Sequence, residues 1–597
     1  MGKIRDYELL EEFKGDETFV VETDEGTKSL SVGAIKAHIT TAVEEKADML
    51  NQNDIEVETD TASDYRLTIT VGTKTVTTPN LKGKSIKEIK LVSGHLLIFF
   101  TDETEIDLGV LDGSIPIYGV CRDIPSHSPA LTRVGDAAGL VAEAAVGNEN
   151  VRNDFDKIYP WCDIKRCTLA DDGTVISYEG DPEFTTDGSN GQVMVEIPVY
   201  WKAHYLNESG TKEYTYISKE KADSRYFVPK RFIDKNGNIL DKIYIGAFGV
   251  TIDADSKAES KAGTGYPIVK SFENMKAYCE ARGDGWHPYG IWDYEVIKDL
   301  FTVEFATLDS QSIMLGLRGN LSYSESYAFY SSAEMWSKDD TTGLTETVTS
   351  FVEESNKPSL FIGQEVCIYA ADTASATGAF DTIEGNAAIA RRRITGIEEI
   401  DLQWTDDEGT VYHTSGYLYN FEGAPVKVDG MFRVKESFSR NGLTDYINMP
   451  SGELRGNDFA RPFKYRHMEN IYCSQDCFLF GALVKDGKYY VCEDPSEYGD
   501  VVTETYKEIS YSRPVTGFIV EMGCDNEYPY VCFPKKTGGT SDTDYCDEFR
   551  KEGGRIDPEK SYIMQLASGG SLAGGLYRME TMRTTLATSR LSYSSEK

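Results

Sequence analysis

Residues 153–201, NDFDKIYPWCDIKRCTLADDGTVISYEGDPEFTTDGSNGQVMVEIPVYW, constrain this chain more than any other stretch. Two turn signals punctuate it. Asp171-Asp172-Gly173 separates strand-like runs at 166–170 and 174–178, the pattern of a hairpin. Asp187-Gly188-Ser189-Asn190-Gly191 is a second turn. Beyond it Val193, Val195 and Ile197 alternate with Gln192, Met194 and Glu196, which predicts a half-buried strand. The residues before this stretch read as small β modules; those after it read as one large globular unit.

A chain of 597 residues is too long for one ordinary domain, and three or four folding units are expected. Residues 1–50 read as an N-terminal module. Phe19-Val20-Val21-Glu22 and 28–32 are strand-like around the turn Asp24-Glu25-Gly26-Thr27. Val32, Ile35, Ile39 and Ala42 come next at helical spacing, as in a short trimeric coil or a lone amphipathic helix. Residues 51–112 form a β-rich shaft module. Leu67, Ile69 and Val71 alternate there, and 96–100 and 106–110 form a hairpin. Such small units bury too little apolar surface to stand alone, so trimerisation would help them. Residues 113–150 read as a connector, irregular near Pro125 and Pro129 and helical over the Ala-rich 136–146.

From 151 to 597 the chain reads as one α+β unit with insertions. Residues 271–282 are an amphipathic helix with Phe272, Met275 and Cys279 on one face. In 292–307, Tyr294, Ile297, Phe301 and Phe305 form a core-facing stripe. The insertion candidates are 320–360 and 486–511.

Two runs carry a resemblance. IYPWCDIKRCTLADDGTV with DGSNGQVMVEIPVYW, and then GDGWHPYGIWDYEVIKDLFTVEFATLDSQ at 283–311, resemble the C-type lectin-like domain of phage tail-fibre and receptor-binding proteins. They lie within 158–311, about a quarter of the chain. The run GDETFVVETDEGTKSLSV resembles the opening module of phage fibre and head-fibre proteins. The resemblance implies small β-rich N-terminal modules with a short helix, then a large α+β C-type lectin-like domain with insertions. In the retroelement-diversified adhesins of this kind, the closing segment carries the ligand contacts. Here that segment is 560–593, with Gly569-Gly570 and Gly574-Gly575. Ser571-Leu572 stand where a Trp is usual and the Asn run is absent. The resemblance therefore points to Ser571, Tyr577, Arg578, Met582 and Arg583 as ligand-binding residues, without implying hypervariability; Tyr577 and Met582 read equally well as core. Tyr supplies contact area at low entropy cost. Arg578 and Arg583, harder to bury, are expected on an exposed face.

No catalytic constellation stands out. The fold's formylglycine-generating branch has a reactive cysteine pair near the end of the domain, and no Cys follows Cys546 here. Cys473 and Cys477, with Cys492 and His467 near in sequence, fall short of a paired zinc-ligand pattern. Cys524, Cys532 and Cys546 show no metal or redox spacing. His287 reads as a packing residue. Asp171-Asp172 and Asp406-Asp407-Glu408 offer oxygen ligands of the kind Ca2+ takes, but none matches an EF-hand loop and the turn reading is preferred. No cofactor is expected.

A net charge of −37 with no Lys/Arg cluster argues against nucleic acid. No apolar run suits membrane insertion, no secretory signal opens the sequence, and scattered cysteines suit a reducing cytosol. The expectation is a non-enzymatic virion adhesin made in the host cytoplasm. It would form a homotrimer, attach to other virion proteins through residues 1–50, and bind a host-surface glycan or protein. A decoration or baseplate component and a carbohydrate-active depolymerase are the other two readings.

Overall fold

The computed structural model describes residues 115–264, 270–317 and 441–594 apart from short gaps, together with strands and a few flanking residues within 18–110 and 333–436. The helix expected at 32–50 lies outside the described residues. The chain divides into two compact units. One comprises Met1–Cys121, Thr132–Leu140 and Tyr200–Phe227; the other comprises Arg122–Leu131, Val141–Val199 and Val228–Lys597.

Among its described residues, the regular elements of the first unit are β-strands. Thr18–Thr23 pairs antiparallel with Gly26–Ser31. Ile55–Thr59, Leu67–Val71 and Lys74–Thr77 form a three-stranded meander, and Ile86–Val92, His95–Phe100 and Glu105–Val110 form another. Ile98 stands opposite Ile106, the register that the alternation of apolar residues demands.

A four-stranded sheet comes next, in the order Thr132–Gly135, Ile117–Asp123, Lys212–Ser218, Trp201–Leu206. Ile117–Asp123 and Thr132–Gly135 are thus strands rather than connector, and they share their sheet with Trp201–Leu206 and Lys212–Ser218 across the boundary expected at 151. The stretch 136–146 is not helical. Gly135 and Gly139 hold φ of 63° and 82°, far from the helical value near −63°. The Asp136 carboxylate accepts the Ile117 N–H at 2.8 Å, fixing a turn instead.

The second unit is built on a six-stranded antiparallel sheet. Its order is Val175–Tyr178, Lys165–Leu169, Gln192–Pro198, Lys242–Gly249, Arg590–Tyr593, Trp286–Pro288. The hairpin around Asp171-Asp172-Gly173 is present as expected. The strand Gln192–Pro198 differs from expectation: Gln192, Val193, Met194 and Val195 are all buried, so both faces are covered. An alternating pattern hid this because Met194 and Gln192 serve as the second apolar or hydrogen-bonded face. Gln192 accepts the Ser260 N–H at 2.9 Å.

Among the described residues there are two α-helices. Helix α1, Phe272–Glu280, starts at Ser271, whose hydroxyl accepts the Asn274 N–H, and buries Phe272, Met275 and Cys279. Helix α2, Ile291–Phe305, is buried along all fifteen residues rather than on one stripe. It packs on the strand Cys477–Lys485 and on the short turn Lys230–Phe232. A helix closed in on every side must pair its charges inside the protein. Glu304 is gripped by Arg466, Lys298 meets Glu295 at 2.5 Å, and Asp293 holds Arg231.

An eight-stranded sheet completes the core, in the order Tyr506–Ser512, Lys488–Cys492, Cys477–Lys485, Ser561–Leu566, Met579–Met582, Glu548–Lys551, Gly517–Cys524, Cys532–Thr537. Residues 486–511, expected as an insertion, are integral to it. Cys524 and Cys532 stand opposite each other on neighbouring strands and form a disulfide, a pairing that spacing alone did not signal. The other insertion is larger than the expected 320–360. Strands between 333 and 436 close into a six-stranded barrel, ordered Ala333–Ser337, Thr349–Glu353, Val411–Phe421, Ala390–Thr405, Glu365–Ala370, Met431–Glu436. The described chain is modular and β-rich, with few helices.

Candidate functional site

Of the residues that the resemblance marked for ligand contact, Ser571 and Arg583 lie outside the described residues. Tyr577 and Arg578 are buried, and Met582 is half-buried on a strand inside the eight-stranded sheet. Arg578 therefore does not lie on the exposed face expected of it. The cause is a buried carboxylate. Asp547 accepts the Gly575 N–H at 2.7 Å and the Tyr577 N–H at 2.9 Å, and Ser310 Oγ accepts the Leu576 N–H at 2.8 Å. The Tyr577 hydroxyl meets Thr302 Oγ1 of α2 at 2.6 Å, and its ring stands edge-on to Tyr545. Residues 575–578 are thus bolted inward. Burial pushes the Asp547 carboxyl up to about 7, against the pull of its two backbone donors. Burial likewise lowers the Arg578 guanidinium, whose best carboxylate, Glu548, is 3.7 Å away.

The other candidates resolve simply. Asp171 pairs with Arg282 at 2.5 Å, and Asp172 accepts the Thr174 N–H, so the acidic pair serves its turn. Cys477 and Cys492 are free thiols, and Cys473 lies outside the described residues. His287 is buried, as a packing residue should be. Burial, then the Arg231 cation, push its imidazole down to about 4. Its Nε2 has no partner among the described residues.

Between residues 230–240 and 493–498 opens a cavity of about 290 Å3 that the sequence did not reveal. One wall is the stretch 230–240. Pro229 leads the turn Lys230–Phe232, and the next turn is fixed by Asp234, whose carboxylate accepts the N–H groups of Asn236 and Asn238 at 2.8 Å. The opposite wall is the turn Pro495–Glu497, capped by Asp494 through the N–H and hydroxyl of Ser496. Glu493 ties the walls together. It pairs with Lys230 at 2.5 Å and with Lys507, and accepts the Tyr528 hydroxyl at 2.6 Å. Burial opposes its charge, but these donors hold its carboxyl down to about 2.

The floor comes from α2 and its neighbours. Trp292 is fixed by its Nε1–H on the Cys492 carbonyl at 2.8 Å. Arg231, 7% exposed, donates through Nε to Asp293 at 2.6 Å and through Nη2 to Ser592 Oγ at 2.8 Å and the Tyr593 carbonyl at 3.2 Å. Asp293 in turn accepts the Gly290 N–H and the Ser592 hydroxyl. Burial disfavours its charge, yet the Arg231 guanidinium keeps Asp293 below the usual carboxylate range. Arg231 Nη1 has no partner among the described residues. Neither does the hydroxyl of Tyr498, a residue 3% exposed that also lines the cavity. The sequence signal for this site is the run Trp286-His287-Pro288-Tyr289-Gly290-Ile291-Trp292-Asp293, which reads as packing although its Trp292 lines the cavity.

No protein-family model matches the chain, and no curated protein matches it. The reading of the site therefore rests on its geometry. Its carboxylates each hold a cation or a turn, while two donors on buried side chains, Arg231 Nη1 and the Tyr498 hydroxyl, have no partner among the described residues. Such an arrangement could take a small ligand by hydrogen bonds between apolar and aromatic surfaces.

Proposed function

We propose that the chain is a phage virion fibre adhesin that grips a host-surface glycan or protein through a C-type lectin-like second unit. The observation that carries this reading is the six-stranded sheet. It takes in both the early hairpin at 165–178 and the closing strand Arg590–Tyr593, with α1 packed on its edge strand Trp286–Pro288, α2 tied to its closing strand through Asp293 and Ser592, and long excursions between strands. Two helices beside an antiparallel sheet with long loops is the arrangement that the lectin-like resemblance implies. The β-rich modules of the first unit support the stalk half of the reading.

The mechanism is attachment without a chemical step. Weak individual sites, repeated three times per fibre and many times per particle, become strong through effective concentration. Residues 1–50 supply the joint to other virion proteins.

Attachment of the purified, fluorescently labelled protein to intact bacterial cells tests the reading. Saturable binding to susceptible cells supports an adhesin; none at micromolar concentration points to decoration of the particle instead. Sedimentation velocity tests the trimer, which a monomeric species would contradict.

A further inference from the structure

We propose that the cavity between residues 230–240 and 493–498 binds one uncharged pyranose ring, the terminal sugar of a surface glycan; this deepens the adhesin reading and rests on it. Three observations converge. First, two polar side chains at least nine-tenths buried line the cavity with an atom unengaged among the described residues: Arg231 through Nη1 and Tyr498 through its hydroxyl. Arg231 Nη1 can only donate, so the ligand must present an acceptor oxygen. Second, Trp292 and Leu240 add apolar surface of the kind that covers the C–H face of a sugar ring. Third, the volume of about 290 Å3 sits at the low end for small-molecule pockets, which suits one ring rather than a chain.

Charge selects the neutral class. Arg231 is paired with Asp293 at 2.6 Å, Lys230 shares Glu493 with Lys507, and Lys235, the third cation of the lining, is also engaged. The walls carry two further carboxylates, Asp234 and Asp494, whose oxygens can accept sugar hydroxyls. An anionic sugar would meet three carboxylates in the lining, Asp234, Glu493 and Asp494, on a chain of net charge −37.

The donors are also pre-positioned. Arg231 is clamped by three hydrogen bonds, and Trp292 by one, so little side-chain freedom remains to be lost when a ligand arrives. This places recognition between residues 230–240 and 493–498, not in the inward-facing 575–578 segment.

Saturation-transfer NMR on the full chain, with glucose, galactose, N-acetylglucosamine and glucuronate as probes, tests the proposal. Wild-type protein should bind at least one of the three uncharged sugars with a Kd on the order of millimolar, more tightly than glucuronate. Tyr498→Phe, which removes one oxygen, should weaken that binding roughly tenfold at an unchanged melting temperature. Arg231→Lys should do the same; because Arg231 also anchors Asp293, the Tyr498→Phe result decides if that variant fails to fold. Undiminished sugar binding in Tyr498→Phe overturns the proposal, as does stronger binding of glucuronate. Cell attachment with no binding of any probe sugar overturns the cavity site while leaving the adhesin reading standing. Absence of both overturns the two together.

Discussion

Arg466 holds Glu304 at two points, Nη2 to Oε1 at 2.6 Å and Nε to Oε2 at 3.0 Å, with both side chains closed to water. Asn153 donates to the same carboxylate at 2.7 Å, and Asp156 accepts from Arg466 Nη1 at 2.6 Å. The start of the 153–201 stretch is thereby pinned to the last turn of α2. Removing one member leaves a buried, unbalanced charge. Glu304→Ala should lower stability by about 3–5 kcal/mol in urea unfolding. Glu304→Leu combined with Arg466→Met should recover a good part of that loss, because both charges are then gone.

Gly173 sits at φ 82° beneath the closing strand. A Cβ there would lie 1.8 Å from the Tyr593 hydroxyl oxygen. Gly173→Ala should cost about 1–2 kcal/mol from the left-handed backbone alone, with a steric cost added. Thermal melts of Gly173→Ala with and without Tyr593→Ala separate the two. The second substitution should relieve the clash and leave the backbone share.

Much of this architecture was legible in the residues. The hairpin at Gly173, the face of α1 and the meander at 95–110 came from turn chemistry and periodicity, which are local. What failed was non-local. Nothing near Ile117 announces that its sheet partner is the strand at 212–218, far along the chain and beyond the expected boundary. Periodicity marks one covered face, so it understated α2 and the strand at 192–198, each enclosed on more than one side. The cavity escaped because its two walls come from 230–240 and 493–498, and because Arg231 and Tyr498 gain their character only from burial beside Asp293.

Asp547 makes stability depend on pH. Its carboxyl titrates at about 7 in the folded chain, against 3.8 ordinarily. Between about pH 4 and about pH 7 the folded state keeps a proton that the unfolded state has released. Its contribution is therefore fully present below that window and is lost as pH rises through it. The stability of wild type relative to Asp547→Asn should fall from about pH 4 to about pH 7 and level off above, read from denaturant midpoints. A pH-independent difference would contradict the burial argument.

The Cys524–Cys532 link closes a loop carrying Tyr528, which donates to Glu493 at the cavity wall. Cys524→Ala with Cys532→Ala should cost about 2–3 kcal/mol on loop-closure grounds. Non-reducing peptide mapping should recover the two cysteines in one linked fragment.

The central claim is that this chain holds a surface and does no chemistry on it. Incubating the purified protein with immobilised bacterial surface polysaccharides, and assaying retained protein and released reducing ends in the same wells, tests it most directly. The account predicts saturable retention on at least one polysaccharide with no reducing ends above background. Steady release of reducing ends, or no retention on any surface, would contradict it.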